Sequence, residues 1–313
     1  MFIIDNPRAS GGRYSAHGQR TLQMYRLLGY QAEILETQGP GHATELTLQA
    51  AEAGATLVIP CSGDGGVREV VVALMSIDPE RRPKFSAIPK GTVNVFARTF
   101  SLQVGPIPDF FHAALKQIFW ARERRVDVGR LNGEPFACFA GFGFDAAVIE
   151  NVPPKDKRAF RELAYVTAAF RTLFGWGPED VGVGQYEPRE LRVRGRAEGG
   201  REVDVNGYLV AAGNVQFYGP GWFPFHPRAR IDDGLLDLIV IRTRDKLELM
   251  RIASQVLTRT HLRNPNVEYF QSRDLVRVDS LEGPVPMHAD CELVGQSPTN
   301  ELGIDAAALT VVY

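Results

Sequence analysis

The sequence predicts an α/β protein, a doubly wound parallel-sheet domain followed by a β-rich second domain. Three observations carry that expectation. Short apolar runs alternate strictly with helix-length amphipathic segments through about residue 120, the pattern of a parallel sheet with helices on both faces. After about residue 125 the pattern changes to hairpins, with Asn132-Gly133 as a type I′ turn signal between 126–128 and 136–140. Three small-residue loops, 6–12, 62–66 and 90–94, each follow a strand-like run, and in a parallel sheet such loops share the carboxyl edge at which ligands bind.

Taken in order, Phe2-Ile3-Ile4 reads as a first strand, ended by Asn6-Pro7 and the loop Arg8-Ala9-Ser10-Gly11-Gly12. Helical spacing over 14–28 stops at Gly29, a second strand covers 32–36, and Thr37 opens the loop Gln38-Gly39-Pro40-Gly41. Another helix, 43–53, stops at Gly54 before Leu57-Val58-Ile59-Pro60-Cys61, which reads as a buried strand. That strand leads through Ser62-Gly63-Asp64-Gly65-Gly66 into a helix over 67–75. The strand 85–89 ends in Lys90-Gly91-Thr92-Val93-Asn94, a helix covers 95–100, and another runs to about residue 122. Beyond the Asn132-Gly133 hairpin, 189–194 pairs with 202–205 across Glu198-Gly199-Gly200, and strands follow at 208–212, 235–241 and 275–278. A boundary near 123–126 divides the chain into domains 1–124 and 125–313, with the last run, 308–313, able to return to the first. Residues 158–176 read as a helix with a broad apolar face, either packed on the second sheet or forming one wall of a cleft for an apolar substrate. Tyr218-Gly219-Pro220-Gly221-Trp222-Phe223 is either a pocket rim or a compact turn.

Composition narrows the class. With 313 residues, 44% hydrophobic and 23% charged, the chain can bury a sizeable core. A formal net charge of −2, without a basic tail or a block of like charges, argues against nucleic acid as a partner and against permanent adhesion to an anionic membrane. Transient contact with a membrane surface remains compatible with it. Cys61, Cys138 and Cys291 are odd in number and far apart, which fits neither a disulfide framework nor a closely spaced zinc site and suggests a reducing compartment. Asp5 and Asn6-Pro7 arrive too early for a signal-peptide apolar region, and no apolar run is long enough to span a bilayer. The expected location is cytoplasmic, with peripheral membrane association allowed.

Chemistry centres on 62–66. Strand, glycine turn, helix is a phosphate-binding layout: three glycines and one acid let the backbone turn sharply and aim several N–H groups at one place. The helix that follows adds its positive end. One such loop also serves plain α/β packing; three at one edge point to a nucleotide site. Lys90, Arg13 and Arg68 are candidate phosphate cations or ordinary solvated side chains.

These segments resemble a known family. Asn6-Pro7 with Ser10-Gly11-Gly12, Ser62-Gly63-Asp64-Gly65 with Glu69-Val70-Val71, and Pro89-Lys90-Gly91-Thr92-Val93-Asn94-Val95-Phe96-Ala97-Arg98 are similar to the diacylglycerol-kinase catalytic family, which includes bacterial lipid kinases and the sphingosine and ceramide kinases. Gly141-Phe142-Gly143-Phe144-Asp145-Ala146, Asn214 with Tyr218-Gly219, Asp233-Gly234-Leu235-Leu236-Asp237 and Asp290-Cys291-Glu292 continue the resemblance in order. It implies a nucleotide-binding α/β domain, then a β-sandwich, with ATP in the cleft between them and a lipid alcohol as phosphate acceptor. Carried over by position, the nucleotide contacts are Asn6, Pro7, Arg8, Ala9, Ser10, Thr37, Ser62, Gly63, Asp64, Gly65, Gly66, Val67, Arg68, Gly91, Thr92 and Asn94. Asp290 is the favoured general base and Glu292 the second candidate, since a lipid hydroxyl needs a carboxylate within reach to take its proton. Mg²⁺ would accompany the triphosphate. By the same resemblance a structural magnesium would be held by the Asp233 side chain and the carbonyls of Arg230 and Leu235, against the plain alternative of an acidic turn. His226 and His288 read as surface or packing residues. A homodimer is compatible with the sequence.

The chain departs from that pattern at named positions. Ser62 stands where most relatives have Gly, and Gly66 where the family has Thr, a form resembling the sphingosine-kinase branch. Val93 and Val95 replace the usual Gly and Asp around Asn94, so a polar contact is missing or supplied elsewhere. Cys291 replaces Gly between the two acids; if that position needs φ > 0, its side chain costs about 1–2 kcal/mol and tilts them. The expected function is an ATP-dependent lipid kinase acting on a diacylglycerol- or sphingoid-type lipid. The alternatives are a non-catalytic nucleotide- or lipid-binding relative and an NAD kinase-like enzyme.

Overall fold

In the computed structural model, which describes residues 1–103, 105, 107–150, 187–218 and 223–313, the first apolar runs become neighbouring strands of one parallel sheet. The helix expected over 158–176 and the tip of the 218–223 loop lie outside the described residues. The chain divides into two units, Met1–Val128 with Ala306–Tyr313, and Gly129–Asp305.

In the first unit β1 (Phe2–Asp5) lies between β2 (Glu33–Glu36) and β3 (Leu57–Ser62), parallel to both. β3 pairs at its start with β4 (Lys84–Phe85) and at its end with β5 (Ile88–Pro89). The single strand expected over 85–89 is therefore broken at Ser86 and Ala87. Ser86 gives its N–H to Val58 and its hydroxyl to Val312 O at 2.6 Å, which diverts it from a regular ladder. Ile3, Ile4, Val58, Ile59, Phe85 and Ile88 are all buried, as in a parallel sheet covered on both faces.

Helices α1 (His17–Leu27) and α2 (His42–Glu52) end as the glycines suggested. Gly29 and Gly54 have φ of +85° and +80°, and the residues after them, Tyr30 and Ala55, bond back to Tyr25 and Ala50, the arrangement glycine makes accessible at a helix end. α3 (Asp64–Ser76) begins three residues before the expected 67. Gly65 and Gly66 thus form its first turn rather than a loop before it. Poor helix propensity is overridden there because position 66 has no room for a side chain: a Cβ would come within 2.5 Å of Ser62 Oγ. α4 (Val95–Thr99) and α5 (Phe110–Phe119) complete the unit.

β6 (Glu123–Leu131) turns through Asn132 and Gly133, with φ of +51° and +85°, into β7 (Glu134–Phe136), the type I′ hairpin the sequence predicts. The second unit is a sandwich. One antiparallel sheet has the order β13 (Val267–Ser272), β12 (Leu236–Ile241), β11 (Leu209–Gly213), β8 (Phe139–Gly143), β15 (Val285–Ala289), β16 (Glu292–Ser297). The other contains β10 (Glu202–Gly207), β9 (Leu191–Arg196), β14 (Val276–Ser280) and the first part of β17 (Thr299–Val312). Phe142, Val210, Leu238 and Phe270 of the first sheet share one buried cluster with Leu191, Val193, Val278 and Leu302 of the second. The end of β17 belongs to the first unit, where Val311 pairs with Phe85. α6 (Phe144–Glu150) follows β8, and α7 (Lys246–Leu257) follows β12.

Candidate active site

The carboxyl ends of β1, β3 and β5 bring 6–12, 62–66 and 90–94 to one edge, and the contacts among them are specific. Gly63 and Gly91 stand back to back: a Cβ on Gly91 would lie 2.5 Å from the Gly63 Cα, and one on Gly63 would lie 3.0 Å from the Gly91 Cα. Only glycine allows that approach. The Asp64 carboxylate accepts the N–H of Asn94 at 2.8 Å and of Phe96 at 3.4 Å, so it caps α4 and ties the second loop to the third. It thereby takes up backbone donors flanking Val95, the position at which the family's acid is missing. Ser10, at φ +52°, donates its hydroxyl to Lys90 O at 2.8 Å, joining the first loop to the third.

Asn94 is not presented to a ligand. Its side chain is buried, accepts the Gly91 N–H at 2.8 Å and donates to Gly91 O and the Gln103 side chain, while its backbone sits at φ +56°. It shapes the loop. Val67 is buried in the core, which leaves only its backbone for the expected contact, and that N–H bonds to Gly63 O at 3.1 Å. Thr37 follows β2, with its N–H on Asp5 O at 2.8 Å. Asn6 accepts the Arg8 N–H at 3.0 Å, fixing the turn that Pro7 and Ala9 complete.

Lys90 is neither a phosphate cation nor a solvated side chain. It is fully buried, and its Nζ lies 2.6 Å from Oδ1 of Asp5, itself 1% exposed. Burial pushes the Asp5 carboxyl up from its ordinary range and Lys90 draws it back; burial likewise raises the neighbouring Cys61 thiol. Gly18, in the first turn of α1, lies directly on that carboxylate, where a Cβ would collide with it. His17 beside it is pushed down to about 4 by burial and by the Lys90 charge.

In the second unit β15 and β16 are joined by a two-residue turn, Asp290 at φ +49° and Cys291 at φ +65°. The left-handed conformation at 291 therefore holds, and with it the cost of a side chain there. Asp290 is 4% exposed, and its carboxylate accepts the N–H groups of Ala137, Cys138 and Phe139 at 2.7, 2.8 and 3.0 Å. Three backbone donors take up most of its acceptor sites and tie it to the entry to β8. Glu292 follows at the start of β16 and is half-buried.

Next to that turn lies a polar cluster. His288 is fully buried; its Nε2 is 2.6 Å from Asp145 Oδ2 and 3.0 Å from the Tyr218 hydroxyl, which also donates to Asp145. Gly141 makes the room, since a Cβ there would strike all three side chains. Burial, then Asp145, raises the Tyr218 hydroxyl far above its ordinary value. Reading His288 as surface or packing missed this, whereas His226, fully buried against Gly213, is packing. The cluster joins residues 70 to 143 positions apart; Asp145 and Tyr218 carried a signal, through Gly141-Phe142-Gly143-Phe144-Asp145-Ala146 and through Asn214 with Tyr218-Gly219, and His288 carried none. Glu69 was also missed as a positioning residue: its carboxylate accepts the N–H groups of Gly41 and Ala43 at 2.9 and 3.0 Å and caps α2.

The Asp233 turn fits a hard cation. Its donors are oxygens, Gly234 has φ +70°, and Asp233 Oδ1 accepts the Leu235 N–H at 3.1 Å. Asp237 nearby is buried and pushed up to about 7, chiefly by burial and also by the Asp233 charge, while Asp232 pairs with Arg230 at 3.6 Å. Among the described residues no group of three or more His, Cys, Asp or Glu side chains converges as a metal site.

Comparison with known proteins places the fold and the family. Residues 1–131 match the diacylglycerol kinase catalytic domain, and residues 139–313 match the YegS C-terminal NAD kinase beta sandwich-like domain. A diacylglycerol kinase of Bacillus subtilis is 28% identical over 296 residues, 95% of this chain and 90% of that protein. A probable YegS-like lipid kinase of Chromohalobacter salexigens is 32% identical over 246 residues, 79% of this chain and 73% of that one. A crystal structure of a Bacillus anthracis protein, described as a putative diacylglycerol kinase, shares the fold with a TM-score of 0.77 at 23% identity, over 100% of this chain and 94% of that one. With both halves matched in order and a 32% identical relative covering 79% of it, the chain belongs to the bacterial diacylglycerol kinase family.

Proposed function

We propose that this lipid kinase transfers the γ-phosphate of ATP to a hydroxyl of a diacylglycerol- or sphingoid-type lipid. The observation that carries the reading is the back-to-back approach of Gly63 and Gly91 at the start of α3. It clears side chains from the carboxyl edge of the sheet and leaves the N–H groups of the first α3 turn for phosphate oxygens. Asn6, Arg8, Ser10, Thr37, Arg68 and Thr92 surround that edge in sequence and supply its polar groups. Mg²⁺ would neutralise the triphosphate, and a second ion would be held by Asp233 with the Arg230 and Leu235 carbonyls.

We assign the general base to Glu292 rather than Asp290. The Asp290 carboxylate already accepts three backbone N–H groups, so its work is to fix the turn from which Glu292 projects. As the acceptor oxygen bonds to the γ-phosphorus and the bond to the β-phosphate oxygen breaks, Glu292 takes the hydroxyl proton and ADP leaves. The test is transfer of labelled γ-phosphate to a panel of lipid alcohols. Glu292→Gln should lower kcat by 10²-fold or more with nucleotide binding and stability retained, and Asp290→Asn should lower stability as well. Labelling by Glu292→Gln at the wild-type rate would return the base to another residue. Nucleotide binding without labelling of any lipid would favour the non-catalytic reading.

A further inference from the structure

The outward face of α5 has no use in the site described above. The buried side of this helix is Ala113, Ala114 and Gln117. Opposite them, Phe111 and Phe119 are 53% and 57% exposed, with Leu115 between them on the same face, and Ile107 and Trp120 at the two ends are 61% and 66% exposed. A helix apolar on both sides calls for cover on both.

Its charges say what kind of cover. From 107 to 125 the basic residues are Lys116, Arg122, Arg124 and Arg125, and the acids are Asp109 and Glu123. Asp109 caps the helix by accepting the N–H groups of Phe111 and His112 at 3.0 and 3.1 Å, and Glu123 pairs with Lys84. Among the contacts of the cations, Lys116 donates to Phe100 O at 2.6 Å and lies over the Tyr313 ring, Arg124 lies over that ring, and Arg125 donates to Ala307 O at 2.7 Å, uncharged groups that leave the positive charge in place. An apolar stripe of Phe, Leu and Trp bordered by cations, within a chain of net charge −2, matches an anionic bilayer surface, with rings at the acyl boundary and Lys and Arg among the headgroups.

We propose that the outer face of α5 is the membrane-docking surface of this protein and that its occupant is an anionic lipid bilayer. The inference rests on the lipid-kinase reading for its biological sense, and its test is independent of it. Phe111→Ser, Phe119→Ser and Trp120→Ser, combined in one chain, alter exposed positions outside the nucleotide edge and the 290–292 turn. Sedimentation with phosphatidylglycerol vesicles should show at least 10-fold weaker binding than wild type. Wild type should bind phosphatidylcholine vesicles weakly and should lose binding to the anionic ones in 0.5 M salt. Phosphorylation of diacylglycerol dispersed in detergent micelles should be unchanged in the variant. Lost vesicle binding with micellar activity retained supports docking and kinase readings together; lost binding in a protein that labels no lipid supports docking and overturns the kinase reading. Equal vesicle binding by variant and wild type, or none by either, overturns the proposal. A change from dimer to monomer with vesicle binding unaltered assigns the face to a second copy of the chain instead.

Discussion

Cys291 shows how one side chain bears on two carboxylates. At φ +65° it occupies the left-handed region between Asp290, whose carboxylate is fixed by three backbone donors, and Glu292, the proposed base. Any residue other than glycine is strained there by about 1–2 kcal/mol. Two successive left-handed residues make the turn type I′, for which Asp followed by Gly is a favoured pair. Cys291→Gly should therefore raise stability by about 1 kcal/mol, read as a higher thermal midpoint, with the three hydrogen bonds to Asp290 retained. A midpoint unchanged or lowered would mean that the thiol makes compensating contacts worth as much as the strain. The flanking tyrosine, aspartate and histidine are different in kind. Tyr218, Asp145 and His288 meet because β8 and β15 pair antiparallel, His288 opposite Gly141, and nothing local in the sequence could show it.

The strand ends are held by one buried ion pair. Lys90 leaves β5 and Asp5 ends β1, with β3 between them, so the 2.6 Å contact bridges across the central strand and fixes the two flanking loops. Removing one partner leaves the other charge buried and unpaired, which costs about 3–5 kcal/mol, whereas replacing both with apolar groups of similar size is often neutral. Lys90→Met should destabilise the first unit by that amount, and Asp5→Leu with Lys90→Met should recover most of it, measured by urea unfolding as a double-mutant cycle. Additive losses would show that the two side chains act independently. At this scale the sequence was informative where periodicity decides: the order and type of the alternating elements of the first unit, the Asn132-Gly133 hairpin and the glycine helix ends follow the pattern. It misplaced the start of α3 because Gly65 and Gly66 have poor helix propensity, although the fit against Ser62 Oγ requires glycine at 66, and it fused β4 with β5 because Val312, which diverts Ser86, lies 226 residues away. Lys90 read as a cation on a loop for the same reason, its partner being 85 residues away.

For the molecule as a whole, the two units titrate through different groups, and the second allows a signed prediction. Burial pushes His226 down to about 4 from 6.5 and lowers His261 as well, so as pH falls below 6.5 the unfolded chain takes up protons that the folded chain refuses, and stability declines. Asp237 acts in the opposite sense. Burial holds its carboxyl up at about 7 against 3.8, so its contribution is full below 3.8 and is lost as pH rises toward 7, where the unfolded chain is ionised and the folded one is half protonated. Each proton of difference changes stability by about 1.4 kcal/mol per pH unit. Between pH 4 and 6.5 the His226 and Asp237 slopes oppose one another, and wild type should show only a shallow dependence there. Asp237→Asn mimics the protonated acid at every pH: its carbonyl can still accept from the Tyr269 hydroxyl, and its amide takes the place of the oxygen that now accepts from Gln271, whose own amide can turn to accept in its place. The variant should equal wild type near pH 4, be more stable at pH 7, and reveal the histidine slope between. The check is the thermal midpoint of variant and wild type across that range. His17, also lowered to about 4, adds a slope of the same sign to variant and wild type alike and cancels in their comparison. A variant less stable than wild type at pH 7 would mean that Asp237 is ionised in the folded protein, and that a cation at the Asp233 turn is the simplest balance for the pair.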